Sequence, residues 1–264
     1  MAGNGDDRYR APALDKGLDI IELLASVDEG LSQAEISKAL NRTTNEIYRM
    51  LDRLVRRNYV ARTNGDRYEL TLKLFALVHQ RPPIRRLVSR ATPVIQRIAR
   101  TAEQSCHVVV IDRGTLVVVA QADAPGYWGV AIRVGSRIGL VNTGSGHVLL
   151  AYASETERRL MLEEHEPIAQ EIVPDDLDAQ LRRVRERGYQ FMDSKQTLGI
   201  MNLSVPIFGP NGSVIAALTS PYVKRLDTDH VTTPEEVIEL LKKGSAEISA
   251  LTGSASSPGM APQG

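Results

Sequence analysis

Cysteine, tryptophan and phenylalanine are scarce in this chain: its 264 residues hold one cysteine, Cys106, one tryptophan, Trp128, and three phenylalanines. With one cysteine no intrachain disulfide framework forms, and a reducing compartment is the natural setting. No apolar run approaches the roughly 20 residues of a membrane-spanning helix. Residues 1–10 are polar and lack the apolar stretch of a secretory signal. These absences point to a cytoplasmic protein with no membrane partner.

Net charge is absent as well, with 32 basic residues against 32 acidic ones. The zero total hides a division. Between Arg42 and Arg67 stand seven arginines and only Glu46, Asp52 and Asp66. Between Arg81 and Arg100 there are six arginines and no acid, whereas residues 101–264 carry 14 basic and 20 acidic side chains. A basic part that faces nucleic acid and an acidic part that does not are the expected arrangement. The length allows two domains, each with a core of its own.

Residues 31–68 read as a complete DNA-reading unit. In Leu31-Ser32-Gln33-Ala34-Glu35-Ile36, Ser32 caps a helix and Glu35 reaches back to its amide, with Leu31 and Ile36 as the hydrophobic staple. The same grammar returns in Thr43-Thr44-Asn45-Glu46-Ile47, only Asn41 and Arg42 separating the first helix from the second cap. Two short helices on so tight a turn form a helix-turn-helix, whose second helix enters the major groove. Tyr59-Val60-Ala61-Arg62-Thr63, Asn64-Gly65 and Arg67-Tyr68-Glu69-Leu70 then read as a hairpin, the wing. The recognition helix is expected over 44–58, with Ile47, Met50, Leu51, Leu54 and Val55 inward.

The rest divides at Pro82-Pro83, because the residue before a proline is pushed out of helix. Residues 1–80 form the winged domain, with a first helix over 13–27, a short helix over 71–78 and a disordered start at 1–12. An amphipathic linker helix over 81–100, interrupted by Pro93, suits dimerisation. In the second domain, 101–252, strands are expected over 106–112, 116–122, 129–134, 202–208 and 213–219. Helices are expected over 144–153, 155–164, 177–187 and 234–251, with Gly188 as a C-terminal cap. The helices are expected on one face of the sheet. Residues 253–264 read as a disordered Ser/Pro/Gly tail.

Several motifs in this order resemble the IclR family of bacterial transcription regulators, over about residues 13–252. They are Ala13-Leu14-Asp15-Lys16-Gly17-Leu18-Asp19-Ile20, the segment 140–151, Arg182-Arg183-Val184-Arg185-Glu186-Arg187-Gly188-Tyr189, Leu198-Gly199 and Ser204-Val205-Pro206. The resemblance implies an α+β protein. Its parts are an N-terminal winged helix-turn-helix, a linker helix and a C-terminal GAF-like effector-binding domain. It also implies binding to operator DNA as a dimer or dimer of dimers, and a response to small organic acids. Departures stand at His147, where a lysine is common, at Asn202 for a cysteine, at Met192 (followed by Asp193) for an acid, and at Pro221 for a serine. The turn Asn41-Arg42-Thr43 lacks the family's frequent glycine. These departures imply a ligand other than that of the best-known members.

Candidate base and phosphate readers are Thr43, Thr44, Asn45, Tyr48 and Arg49, with Arg53 one turn on. Asparagine bonds adenine in two places and arginine does the same to guanine. Ser32 and Gln33 would sit on phosphates, and Arg62 and Arg67 would place the wing. The plain alternative is a solvated helix face. The resemblance marks Tyr127, Val130, Ile138, Gly144, Ser145, Ile200, Asn202 and Thr219 as effector contacts, with Asp193 beside them. Independently of it, Asn142-Thr143-Gly144-Ser145-Gly146 before a helix offers backbone N–H groups that suit a carboxylate, an organic acid, aromatic ones included. The alternative there is a small-residue turn closing an ordinary core.

Cys106, His107 and His147 invite a metal reading, but their spacing fits no compact metal motif, and core or pocket roles are expected. No metal and no cofactor are expected. Paired carboxylates, a nucleophile elbow and a phosphate loop are missing from the sequence, which counts against an enzyme. Trp128 fits either a pocket lid or an anchor for another subunit. The leading reading is a ligand-responsive repressor of a catabolic operon. An activator of the same architecture is the alternative, and an enzyme or metal-dependent sensor on the second domain is a third.

Overall fold

A computed structural model of the chain describes residues 11–63, 66–80, 82–168, 171–226 and 232–253. The readings made for residues 1–10, the Asn64-Gly65 turn and the tail 254–264 lie outside the described residues. The chain divides into two compact units, Met1–Pro82 and Pro83–Gly264.

The first unit runs α1 (Pro12–Ala25), β1 (Leu31–Ser32), α2 (Gln33–Ala39), α3 (Thr44–Arg56), β2 (Val60–Thr63), β3 (Arg67–Leu70) and α4 (Lys73–Gln80). Both capping boxes form: Ser32 and Thr43 each accept the amide three residues on, and Glu35 and Glu46 return the bond. The apolar residues spaced by three and four along α1, α2 and α3 meet at one core of Ile20, Leu24, Ile36, Ile47 and Leu51. Val60 and Tyr68 close it from the wing side. The short strand β1 was not anticipated. Leu31 pairs with Tyr68 and Ser32 with Arg67, so the staple residue is also the third strand of the wing sheet, ordered β1-β3-β2.

The second unit begins with α5 (Pro82–Ala102) and continues with β4 (Cys106–Asp112), β5 (Thr115–Ala122), β6 (Arg137–Ile138) and α6 (Gly144–Tyr152). Next come α7 (Glu155–Glu163), α8 (Leu177–Arg187), β7 (Gln190–Asp193), β8 (Ile200–Phe208), β9 (Val214–Val223) and α9 (Pro234–Thr252). The strands form one antiparallel sheet ordered β6-β5-β4-β9-β8-β7.

Helices cover both faces of this sheet, not one as expected. One core packs α5 and α9 against Val108, Ala120, Leu203, Val205 and Leu218; the other packs α6 and α8 against Val109, Val118 and Ala217. Both faces of the central strands are therefore apolar, and β4 reads as an unbroken buried run, Cys106–Val110.

The helix read as a linker is an integral layer of the second unit. Leu87, Ala91, Val94, Ile95, Ile98, Ala99 and Ala102 of α5 are all buried in its core. Gly244 of α9 lies so close that a Cβ there would meet Ile98 and Val94. The expected strand over 129–134 is also absent. Gly135, at φ +88, donates to Val118 O, and Ser136 O accepts from Val118 N, so the edge of β5 is taken by residues 135–138. The apolar alternation of Val130, Ile132 and Val134 has no strand left to pair with.

α6 is buried along its whole first two turns, with α8 on one side and the sheet on the other. Its start has no room for side chains. A Cβ on Gly144 would meet Ser204 Oγ at 2.6 Å and Asn202 Cβ at 3.1 Å, and one on Gly146 would meet Leu140 O at 1.8 Å. Because Gly146 faces backbone, Gly146→Ala should destabilise the second unit by about 3 kcal/mol, the upper end of overpacking costs. Urea melts check this. The winged unit's transition should stay in place, and an unchanged midpoint for the second would mean that the 139–142 segment yields freely.

Candidate DNA-reading and effector sites

The DNA-reading face is built around the N-terminus of α3. Gln33 Nε2 donates to Thr44 O at 2.9 Å, so the side chain expected on a phosphate fixes α2 to α3 instead. Glu46 is pulled to a pKa of about 2 by Lys16 of α1 and by the Thr43 hydroxyl and amide. Lys16 is a positioning residue that the capping grammar alone did not reveal. Thr43, Thr44, Asn45, Tyr48, Arg49 and Arg53 are exposed, Tyr48 at 57%. They occupy one face and one end of a 13-residue helix, about 20 Å long at 1.5 Å per residue. Arg49 and Arg53 make no ion pair among the described residues.

The two wing arginines are held in different ways. Arg62 is paired with Asp66 at 2.6 Å. Arg67 donates to Gly30 O at 2.6 Å and meets Glu35 at 3.2 Å, which ties the wing to the first capping box. Arg67 therefore holds the wing's position, and Arg49 and Arg53 leave unpaired positive charge on α3.

In the second unit the candidate effector residues gather where α6 meets the sheet. Thr143 caps α6: its hydroxyl accepts from Gly146 N at 3.1 Å and donates to Gly139 O at 2.6 Å. Gly144 and Ser145 are the first two helical positions, whose amides have no intrahelical partner. Ser145 Oγ lies 2.8 Å from Thr219 Oγ1, which in turn donates to Ser204 Oγ at 2.8 Å. Ser204 and Thr219 are register partners, and Asn202 lies two residues before Ser204 on the same face. A buried, uncharged row of hydroxyls and an amide therefore lies directly under the helix N-terminus. Ser204 was not singled out in the sequence, because only the β8–β9 register brings it in.

Several candidates stand apart from this group. Side chains alternate along a strand. Gln190 of β7 faces α6, where it reaches His147, so Met192 shares that face beside its register partner Asn202. Asp193 points to the opposite face. Ile138 sits on β6, four strands from β8, packed beside the α6 core. Tyr127 is 85% exposed and forms no buried wall, while Val130 is half-buried and Ile200 buried. Asn142 is buried near its own loop, its carbonyl oxygen against Gly139 and its backbone carbonyl reached by Gln196 Nε2 at 3.4 Å.

His147, where the family resemblance placed a lysine, is a clamp. Its Nε2 lies 2.8 Å from Val141 O and its Nδ1 2.7 Å from Gln190 Nε2. A carbonyl only accepts and an amide N–H₂ only donates, so the ring is neutral with the proton on Nε2. Burial pushes its pKa down, against the raising effect of Val141 O. His107 is fully enclosed on β4 and burial pushes it down to about 4. The Cys106 thiol is pushed up to about 12 by burial, which leaves it unreactive. Among the described residues no three His, Cys, Asp or Glu side chains stand together as a metal site. No helix of the described residues is long and apolar enough to cross a membrane.

A winged helix-turn-helix joined to an antiparallel sheet with a buried polar row under a helix N-terminus defines a ligand-domain transcriptional regulator. The family models agree: residues 13–64 match the IclR helix-turn-helix domain, and residues 83–250 match the bacterial transcriptional regulator IclR C-terminal domain. The chain belongs to the IclR family. It is 26% identical over 258 residues to the HTH-type transcriptional regulator KdgR of Escherichia coli K12, covering 95% of this chain and 97% of that one. It is 26% identical to the Pca regulon regulatory protein of Pseudomonas putida over 86% of this chain and 79% of the relative. The transcriptional repressor IclR of Escherichia coli K12 is 21% identical over 83% of each. Among solved structures, the Thermotoga maritima IclR matches with a TM-score of 0.71 and 26% identity, covering 91% of this chain and 98% of that one. An IclR homologue from Microbacterium hydrocarbonoxydans, complexed with 4-hydroxybenzoate, shares the fold at a TM-score of 0.74 and 20% identity, over 91% and 98% of the two chains.

The neutral imidazole of His107 has a measurable consequence. An unfolded histidine titrates near 6.5, whereas folded His107 titrates at about 4. Between those values the unfolded chain binds more protons, so stability falls as the pH drops through the window. His107 alone would account for a loss of about 3 kcal/mol across it. Urea melts from about pH 7 to about pH 4 should therefore show a shallower decline for His107→Leu than for the parent chain. Equal slopes would mean that the buried ring is charged.

Proposed function

We propose that this regulator is a repressor of a catabolic operon, released from its operator by a small organic acid bound at the N-terminus of α6. The observation that carries the reading is the convergence of the Gly144 and Ser145 amides on a buried uncharged row, Asn202, Ser204 and Thr219. Helix N-terminal amides and the positive end of the helix dipole suit a carboxylate. Hydroxyls and an amide alongside suit the polar substituents of its body. A fold neighbour that carries an aromatic hydroxy acid, 4-hydroxybenzoate, supports acids of that size as first candidates.

The regulator is further proposed to act as a homodimer or a dimer of dimers on double-stranded operator DNA. One winged domain covers one half-site, and stable recognition uses two at fixed spacing. Leu14 and Leu18 of α1, and Leu72 just before α4, remain exposed on the winged unit, apolar surface of the kind that a second copy covers.

Two outcomes test the reading. In a mobility-shift titration on the protein's own promoter, members of a panel of organic acids should release the DNA. Calorimetry with the releasing acid should show Asn202→Ala binding it more weakly by about 1–3 kcal/mol, the cost of an unmatched buried polar group. Operator affinity without acid should be unchanged in that variant; its loss would place Asn202 in the fold and not in the pocket.

The second outcome concerns α3. A Tyr48→Ala, Arg49→Ala double variant should lose preference for the operator over unrelated duplexes, each lost base contact costing about 1–3 kcal/mol. Arg67→Ala should weaken binding to both kinds of duplex through a displaced wing. An unchanged footprint from the double variant would move the reading face elsewhere.

A further inference from the structure

We propose that His107 is a ligand-contacting residue of the effector site. The effector it fits carries a neutral hydrogen-bonding group, a hydroxyl or oxo oxygen, at the end opposite its carboxylate. The inference rests on the effector site proposed above and narrows the ligand class within it.

The register fixes where His107 projects. It pairs with Thr219 across β4 and β9, and with Gln121 across β4 and β5. Directly opposed residues in an antiparallel pair project to the same face. Thr219 is bonded to Ser145 of α6, so the imidazole shares the α6 side of the sheet, one strand beyond the hydroxyl row. The three side chains form a continuous polar band: Gln121, His107 and Thr219.

Its neighbours are already satisfied. Thr219 is held by Ser145 and Ser204, and Gln121 Nε2 donates to Asp123 at 2.5 Å. The imidazole is 2% exposed and no hydrogen bond joins either ring nitrogen to a described residue, while neither nitrogen is one of the fully enclosed unpaired side-chain atoms. Buried polar groups in folded proteins are almost always paired, and an exception requires an explanation. His147 supplies the contrast within the same unit, with both nitrogens engaged by Val141 and Gln190. His107 is left free on the face where a ligand is expected.

The chemistry of the ring selects the partner. Burial keeps it neutral, so it presents one N–H donor and one acceptor. That pair suits a hydroxyl, or an oxo oxygen through the donor alone. A second carboxylate would meet no cation: the side chains beside the ring are Gln121 and Thr219, and the nearest charge along the band, Asp123, is negative. Strands lie about 4.8 Å apart, and one to two spacings separate β4 from the strands under the α6 N-terminus, so the ligand's polar ends lie roughly 5–10 Å apart. The loop leaving β5 at this end of the sheet carries Tyr127 and Trp128, whose rings are exposed.

The test uses the full-length protein and two pairs of probes, benzoate with 4-hydroxybenzoate and butyrate with 4-hydroxybutyrate, measured by calorimetry. The parent chain should bind the hydroxylated member of at least one pair about tenfold more tightly, the typical effect of one matched buried hydrogen bond. His107→Phe, which keeps the ring's bulk, should erase that preference while still binding the unsubstituted acid. His107→Gln should keep part of it, and carries the comparison if the Phe variant does not melt cooperatively. Acids that bind without preference for the hydroxyl, or a preference that survives in the Phe variant, overturn the role of His107 and leave the pocket standing. No binding of any of the four acids overturns the organic-acid reading itself, and this inference with it.

Discussion

The second unit depends on one steric constraint: the start of α6 lies so close to the sheet and to its own preceding loop that Gly144 and Gly146 have no room for a side chain. Gly144 leaves no space between the helix and Ser204, and Gly146 leaves none between the helix and Leu140 O. Every contact that defines the site follows from this approach. It sets Ser145 within hydrogen-bond distance of Thr219, lets Thr143 cap the helix while holding Gly139 O, and brings His147 to both Val141 and Gln190. A side chain at either glycine would lift the helix by more than a hydrogen bond tolerates, and the recess would open at its floor. The same contact explains why α6 has no solvent-facing polar side, its polar residues Ser145 and His147 being hydrogen-bonded inside the unit. A helix enclosed on every side has no solvent face to keep polar.

The winged unit is organised by carboxylates that serve twice. Glu35 closes the first capping box and also receives Arg67 from the wing; Glu46 closes the second and receives Lys16 from α1. Glu35 is exposed and Glu46 only half-buried, so the energy in each pair is small. Their value is geometric, because each box fixes a helix start and its extra partner fixes a neighbouring element against it. This use of charge also sorts the arginines. Arg56, Arg62 and Arg67 are engaged by Asp52, Asp66 and Glu35, whereas Arg49 and Arg53 on α3 are not. The basic surplus counted along the sequence is in this way concentrated on the helix that would enter the groove.

Features whose cause is local were legible in the sequence. Both capping boxes, the start of α6 at Thr143, and the left-handed Gly188 that ends α8 at φ 82 formed as their spacing predicts. Features set by partners far along the chain were not. Whether Met192 or Asp193 faces Asn202 depends on the register of β7 with β8, and a shift of one residue inverts the answer. The strand reading at 129–134 failed because residues 135–138 take the edge of β5, which local alternation cannot reveal. The arginine-rich helix α5 looked like a connector since its apolar stripe has no visible destination in sequence. Its destination is the second face of the sheet, shared with α9. The same holds for where Ser204 and His107 project: each is placed by a cross-strand partner and not by its own neighbours.

The electrostatic character of the recess bears on how a ligand could act as a signal. The hydroxyls and amide at its floor carry no charge at neutral pH, and burial holds His107 and His147 neutral as well. A small organic acid, the ligand class proposed above, would be held there by helix amides and neutral hydrogen bonds, each contributing on the order of 1 kcal/mol net. A fixed cation would bind any small anion more tightly and discriminate less among them. Neutral donors at defined positions would instead make affinity depend on the shape and substituents of the ligand. Coupling between a ligand site and a DNA-binding surface is typically 1–3 kcal/mol. That is the same magnitude as one or two such hydrogen bonds, so one or two contacts made in only one of the two conformational states would be enough to carry the coupling.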